Sequence, residues 1–299
     1  MLFVSARCNN HCLFCAQQGL GPDGDPTAAA IEAALAQPDE GGVAFVGGEP
    51  TLHPRLLEWV RGAREGGASH VLVQTNGRRL PYEGYAAALA EAGASAVEIS
   101  LQGHRAAIHE YHTEAPGSFR ETIGGIQAAA RAGLEVGVTT QLTRSNFRHL
   151  SSLVRAAAKL GVKALHLSGV QSVGGAATHG AKLLPPIGML RPQLERATRE
   201  AAVARLPLVF SGLPLCAGDR VDGHTLGGAA GDLGHVGYGA NCDDCEARAR
   251  CPGIQQSQLE HLSPRELRPV STPAATVAAR AQLVAAAAPL FAGLGRTIA

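Results

Sequence analysis

The run Cys8-Asn9-Asn10-His11-Cys12-Leu13-Phe14-Cys15 places three thiols, spaced C-x3-C-x2-C, in one short loop near the start of the 299-residue chain. Thiolate sulfur is the soft ligand that iron–sulfur clusters select. Three protein ligands on a four-iron cluster leave one iron open to a substrate or cofactor, much as a catalytic zinc keeps one position free. A disulfide reading needs an even number of partners and an oxidising compartment, and three clustered cysteines suit neither. A zinc knuckle needs a fourth ligand nearby, and His11 lies beside Cys12, where joint chelation is awkward for the loop.

The other four of the seven cysteines are Cys216, Cys242, Cys245 and Cys251. Four thiolates with a C-x2-C-x5-C core make a complete ligand set for one metal centre. The stretch Gly223–Gly239 has too little apolar content to fold by itself, so metal binding would supply folding free energy. Structural zinc and a [4Fe–4S] cluster both accept four thiolates in tetrahedral arrangement, and spacing leaves the two open. Asp243, Asp244 and Glu246 read as solvated charges, whereas Arg248 and Arg250 are placed to moderate a cluster's charge. His104, His109 and His112 form a further cluster, two of them at i and i+3, with exposed polar helix positions as the simpler reading than metal ligation.

These residues need elements to position them. Short β-rich runs at Leu2–Ala6, Val43–Val46, His70–Gln74, Ala96–Leu101, Glu135–Leu142 and Ala164–Ser168 alternate with alanine-rich amphipathic stretches. Helices are expected over Thr27–Gln37, Pro54–Gly66, Tyr82–Ala92, Ser118–Ala132, Phe147–Leu160 and Met189–Ala204. The strands read as nearly continuous apolar runs linked by helical crossovers, which predicts an α/β fold with a parallel sheet and helices outside it. Six units are too few for an eight-stranded closed barrel. A last apolar run, Leu206–Phe210, precedes the glycine- and cysteine-rich region.

In such sheets the working residues lie at the C-terminal ends of the strands. Cys8–Cys15 follows the first strand and Gly47-Gly48-Glu49-Pro50 the second. Asn76 follows the third, Ser100 and Gln102 the fourth, and Gln141, Arg144 and Asn146 the fifth. Two glycines let backbone approach a ligand closely, Glu49 offers a carboxylate, and Pro50 starts a helix.

The cysteine triplet with an aromatic before its last member, followed at this distance by Gly-Gly-Glu-Pro, resembles the radical S-adenosylmethionine (radical SAM) family. The resemblance covers roughly residues 1–255. It implies a partial (β/α)6 TIM-like barrel over 1–211. It also implies that a [4Fe–4S] cluster on Cys8, Cys12 and Cys15 chelates SAM through its open iron. Gly47, Gly48, Glu49 and Pro50 would bind the methionyl amino group, with Phe14, Asn76, Ser100, Gln102, Gln141 and Arg144 as further cofactor contacts. One-electron reduction would cleave SAM to a 5′-deoxyadenosyl radical that abstracts a substrate hydrogen. The four later cysteines, ending Cys251-Pro252-Gly253, are similar to a shortened SPASM or twitch extension. This implies a small metal-bound C-terminal extension over 212–270 with one auxiliary [4Fe–4S] cluster, zinc being the alternative. Such extensions accompany peptide and protein modification, so ribosomal-peptide maturation is the expected function and a small-molecule substrate the alternative. A non-catalytic iron–sulfur electron carrier would have no use for the glycine turn.

Composition excludes little beyond this. With 26 basic against 25 acidic residues, nothing suggests a nucleic-acid partner or a membrane surface. No apolar run reaches membrane-span length, and Met1–Arg7 is too short for a signal peptide. A cytoplasmic setting, where ligand thiols stay reduced, and a reductant such as flavodoxin or ferredoxin are expected. The first strand begins at Leu2, so a leader-recognition domain is not expected before it. The alanine-rich 271–299 is expected to form a surface helix or tail.

Overall fold

The computed structural model describes residues 1–21, 25–36, 42–82, 84–218, 236–259, 262–263, 266–270 and 282–292. Seven parallel strands lie in sequence order: β1 (Leu2–Phe3), β2 (Val43–Val46), β3 (Val71–Thr75), β4 (Ala96–Ser100), β5 (Glu135–Leu142), β6 (Ala164–Gly169) and β7 (Leu208–Ser211). The crossovers carry α1 (Ala28–Leu35), α2 (Leu56–Glu65), α3 (Tyr85–Glu91), α4 (Ala106–Thr113), α5 (Ser118–Arg131), α6 (Leu150–Lys159), α7 (Gly175–Leu183) and α8 (Ile187–Ala204). Successive parallel pairing with helical crossovers builds a curved, partial barrel whose edges are β1 and β7. The six predicted units are present. Leu208–Ser211 adds a seventh strand, which the apolar run alone did not distinguish from a buried loop.

Side chains alternate across each strand, and the two faces differ in chemistry. Outward residues such as Phe45, Val73, Ile99, Val138, Leu167 and Phe210 are buried under the helices in the main core. Inward residues turn polar towards the strand ends, as Glu98, Thr139 and His166 illustrate. The expectation of continuous apolar strands is therefore corrected. The outward face is apolar, whereas the inward face is apolar at its N-terminal end and polar towards its C-terminal end, because it lines a lumen rather than a second helical layer.

At the opposite, N-terminal mouth the lumen narrows onto Ala44, Leu72, Ala96 and Ala164, packed against Leu290, Phe291 and Ala292. A Cβ on Gly137 would press on the Leu290 carbonyl and the Phe291 ring, so the strand's glycine admits the plug. Glu98 Oε2 accepts the Ala292 amide at 2.7 Å, and the His70 ring lies 2.6 Å from the Pro289 carbonyl. Of the stretch expected as a surface helix or tail, residues 282–287 are helical with Gln282, Ala285 and Ala286 exposed, while Leu290, Phe291 and Ala292 plug the barrel's floor. The predicted features over 219–235, 271–281 and 293–299 lie outside the described residues.

The C-terminal extension contributes a two-stranded ribbon, β8 (Val236–Gly237) with β9 (Ile254–Gln255), followed by the short α9 (Gln256–Leu259). Its buried Ala247, Ile254, Leu267 and Val270 join the same core as the barrel helices. No helix of the described residues is long and apolar enough to cross a membrane.

Candidate functional site

The loop Cys8–Cys15 has little regular structure, and neighbouring elements hold its backbone. His11 and Leu13 donate their amides to the carbonyls of Thr113 and His112 at the end of α4, at 2.8 and 3.1 Å. Arg78, just after β3, donates to the Asn9 carbonyl and to Asn10 Oδ1 while pairing with Glu121 at 2.6 Å. Asn76 Nδ2 donates to Asn9 Oδ1 at 2.6 Å and lies 3.9 Å from Cys8 Sγ. Gly175, at the start of α7, donates to the Cys15 carbonyl at 2.9 Å. Asp25 then pins Ser5 and the Ala6 amide, each at 2.6 Å. A loop fixed from α4, the end of β3 and α7 presents its thiols in one arrangement, which is what a cluster ligand set requires.

Cys8 reaches the surface, and Cys12 and Cys15 are half-buried. Burial pushes the Cys12 thiol up to about 12, with the neighbouring Cys8 and Cys15 adding to the rise, and burial likewise raises Cys8. Burial and the neighbouring thiols thus favour protonated sulfur here, and a bound metal would favour the thiolates. The Asn10 amide already points at Cys8 Sγ, at 3.4 Å. The donor set fits an iron–sulfur cluster held by three thiolates.

The Gly47–Pro50 turn lies against this loop. Gly48 has φ +43, and a Cβ there would collide with the Ser5 and Arg7 carbonyls, so only glycine fits. The Gly48 amide donates to Gln17 Oε1 and the Glu49 amide to the Arg7 carbonyl at 2.7 Å. The Glu49 carboxylate, 1% exposed, does not face outward towards a ligand. Oε1 accepts from the Thr51 amide (3.1 Å), the Thr51 hydroxyl (2.6 Å) and the Thr75 hydroxyl (2.6 Å), and Oε2 from the Asn76 amide (2.6 Å). Burial raises its pKa against the opposing pull of these bonds. Glu49 thus ties the end of β2 to the end of β3. Pro50 begins a single 3₁₀ turn, Pro50–Leu52, that leads towards α2.

The remaining strand-end residues divide. Ser100 and Gln141 face the barrel mouth and are half-exposed. Gln102 is buried: its amide meets His109 Nδ1 at 3.1 Å and its Oε1 accepts the Gln141 amide at 2.9 Å. Asn146 Nδ2 bridges the Gln102 and Gln141 carbonyls at 3.1 and 2.7 Å. Arg144 is exposed, and its Nε donates to the Leu184 carbonyl at 2.7 Å. Phe14 packs in a small cluster with Val170, Ala176 and Leu183, its ring 6.1 Å from that of His112.

His109 and His112 are fully buried rather than exposed. His112 bonds the Ile108 carbonyl and the Thr143 hydroxyl, both at 2.6 Å. Burial lowers His109 to about 3. Both rings are structural, because α4, missed by the sequence reading, folds under the cysteine loop. Arg78 and Gln17 were also missed. The only signal for either was its position, one residue past the Asn76-Gly77 turn and two past Cys15.

The four later cysteines line one small pocket, together with Leu215, Tyr238 and Val270. Cys216 follows β7, and Arg191 of α8 fixes its carbonyl at 2.8 Å. Backbone amides point at three of the sulfurs. Leu215 donates to Cys251 Sγ at 3.4 Å and Val270 to Cys245 Sγ at 3.2 Å, and Arg268 donates to Cys216. Amide-to-sulfur bonds of this kind stabilise metal-bound thiolates and tune their potential. Arg248 pairs with Asp243 at 2.5 Å and stacks 5.1 Å from the Tyr238 ring. Among the described residues, no three His, Cys, Asp or Glu side chains close tightly enough to form a ready single-ion site.

Among characterised proteins, the chain is 30% identical over 142 residues to the AdoMet-dependent heme synthase of Oleidesulfovibrio alaskensis, covering 48% of this chain and 36% of that one. It is 33% identical over 200 residues to a probable GTP 3′,8-cyclase of Methanopyrus kandleri, 64% of each chain. It is also 33% identical over 164 residues to the PqqA peptide cyclase of Rhodopseudomonas palustris, covering 55% and 42%. The chain thus spans between about a third and two thirds of the length of these relatives, all of them enzymes. The fold matches Streptococcus suis SuiB bound to S-adenosylmethionine with a TM-score of 0.62 at 15% identity, over 90% of this chain and 75% of that one. Residues 2–157, just over half of the chain, match the model of the Radical SAM superfamily, and the chain belongs to that superfamily of enzymes.

Proposed function

We propose that this protein reductively cleaves SAM at a [4Fe–4S] cluster held by Cys8, Cys12 and Cys15, and modifies a peptide or protein side chain by hydrogen abstraction. The observation that carries this reading is the thiol loop clamped from three sides beside the Gly47–Pro50 turn, all at the C-terminal mouth of the barrel. When bound, the cluster supplies one electron and an open iron for SAM, from which the 5′-deoxyadenosyl radical arises. The chain's own residues do the positioning. Gly47 and Gly48 offer backbone to the methionyl group, and Ser100 and Gln141 face the mouth where the rest of SAM would lie. Glu49, Asn76 and Gln102 hold that frame through their hydrogen bonds rather than as open ligands. Arg144 serves the β5–α7 junction.

Cys216, Cys242, Cys245 and Cys251 would hold an auxiliary [4Fe–4S] cluster, supported by the shared cavity and its amide-to-sulfur bonds. With all four iron positions taken by thiolates, its role is electron transfer or structural support. Zinc is the other occupant that four thiolates accept. A peptide substrate is supported by the likeness to the PqqA peptide cyclase. The likenesses to a GTP cyclase and a heme synthase support a second reading, a small-molecule substrate.

Anaerobic reconstitution followed by iron, sulfide and zinc analysis tests this, together with 5′-deoxyadenosine formation from SAM and dithionite. About eight irons with deoxyadenosine formed is the expected result, from two clusters of four. About four irons with one zinc would assign the later site to zinc. Deoxyadenosine absent in the presence of iron would overturn SAM cleavage.

A further inference from the structure

In every strand from β2 to β7 the last inward-facing residue is half-exposed while its outward neighbours are buried. Those residues are Val46, Gln74, Ser100, Gln141, Ser168 and Ser211. They wall a chamber on the same end of the barrel as the thiol loop. Its surface is one aliphatic group, two carboxamides and three hydroxyls, and no lysine or arginine stands at an inward position of these strands.

A hydrogen-bonded floor supports the wall. His166 Nε2 lies 2.7 Å from the Ser211 hydroxyl, which donates to the Ser168 hydroxyl at 3.3 Å. His166 Nδ1 is 3.4 Å from the Thr139 hydroxyl, which donates to Glu98 Oε1 at 2.6 Å. Below them, the Phe291 ring sits 5.3 Å from that of His166 and closes the end. The titratable groups facing the chamber from the floor are His166 and Glu98. Burial holds His166 down at about 4 and raises Glu98, so the floor resists carrying charge of either sign. At the rim, Arg78 is committed to Glu121 and the loop, and Arg144 to the Leu184 carbonyl.

Binding a phosphate or carboxylate in a confined site calls for Arg, Lys or a convergent set of amides, and an unpaired charge there is strongly disfavoured. The chamber wall offers none of these. Building on the SAM-cleavage reading, we propose that the part of the substrate entering the chamber is uncharged and hydrogen-bonding, as a neutral stretch of peptide is. Gln74, Ser168 and Ser211 are its specificity-determining residues. The triphosphate of a nucleotide and the carboxylates of a porphyrin do not fit this wall.

The test is equilibrium dialysis of the anaerobically reconstituted full chain with SAM against four probes. These are GTP and three end-capped hexapeptide pools that differ only in carrying no charged residue, two Asp or two Lys. The neutral pool is expected to be retained at least tenfold over the other three. Ser211→Lys is expected to shift retention at least tenfold towards the Asp pool, and Ser211→Thr, which keeps the hydroxyl, to leave the neutral preference in place. Equal retention of the pools, preference for GTP or a charged pool, or an unmoved preference in Ser211→Lys overturns the proposal. Deoxyadenosine measured in parallel samples given dithionite reports separately on SAM cleavage. Its absence beside an intact neutral preference overturns that reading alone.

Discussion

The two thiol groups of this chain are built in opposite ways. The front group takes three thiols from eight consecutive residues, and almost all the protein's effort goes into holding the loop's backbone, from α4, the β3–α3 turn and α7. The back group gathers four thiols from across 36 residues, and the protein aims its amides at the sulfurs themselves. A contiguous loop can be clamped from behind while its sulfurs stay accessible on one side, the arrangement a substrate-binding metal needs. Thiols gathered from distant segments enclose their site, which suits a closed centre. Under the proposed function the first difference is chemical and the second structural.

The sharpest way to break that contrast is a pair of substitutions. Cys12→Ala is expected to abolish deoxyadenosine formation and remove about four irons while the back centre stays loaded, by the ligand count for each cluster. Cys245→Ala should remove the back metal and lower the melting temperature, yet leave measurable SAM cleavage. Loss of both centres in either variant would show that the two sites fold as one unit.

Gly48→Ala comes next. The added Cβ meets two carbonyls at a positive φ, at a cost of about 1–3 kcal/mol from backbone strain and more from the clash. It should reduce SAM affinity and iron retention at the front site only, read by SAM binding and iron analysis.

Arg78→Ala leaves Glu121 and the Asn9 carbonyl without their partner, for a loss of about 2 kcal/mol in urea unfolding. Faster iron loss from the front site than from the back would sharpen the comparison. Equal rates would argue that the clamp serves the whole barrel.

The smallest effect is a pH dependence beneath the front loop. His109 is held near 3 by burial, against about 6.5 unfolded, so the unfolded chain takes up a proton that the fold refuses. Its contribution is fully present above about pH 6.5 and falls with acidification, by up to about 2 kcal/mol at pH 5 from the linkage slope. Urea midpoints at pH 7 and 5 measure it, and His109→Asn should reduce the difference by about half, buried His166 at about 4 supplying a similar share.

Most of the sheet was legible because apolar runs mark buried strands whatever surrounds them. Glu135–Leu142 was placed to the residue, and α5 and α6 to within three residues at either end. Elements whose signal is weak alone were missed. Strand β7 is four residues long, and α4 is histidine-bearing and only weakly amphipathic. Its His109 and His112 looked polar in sequence and turned out buried, because burial depends on what packs over a helix.

The sequence by itself determined the ligand types, their two groupings and the alternation of strand and helix, since these follow from residue chemistry and local periodicity. Only the tertiary structure decided that Glu49 faces inward, tying two strand ends together. It also decided that Leu290–Ala292 floor the barrel and that no lysine or arginine faces the lumen from the strands β2 to β7. Each of these depends on groups far apart in the chain meeting at short range, and no local pattern encodes which distant partner a buried polar group will find.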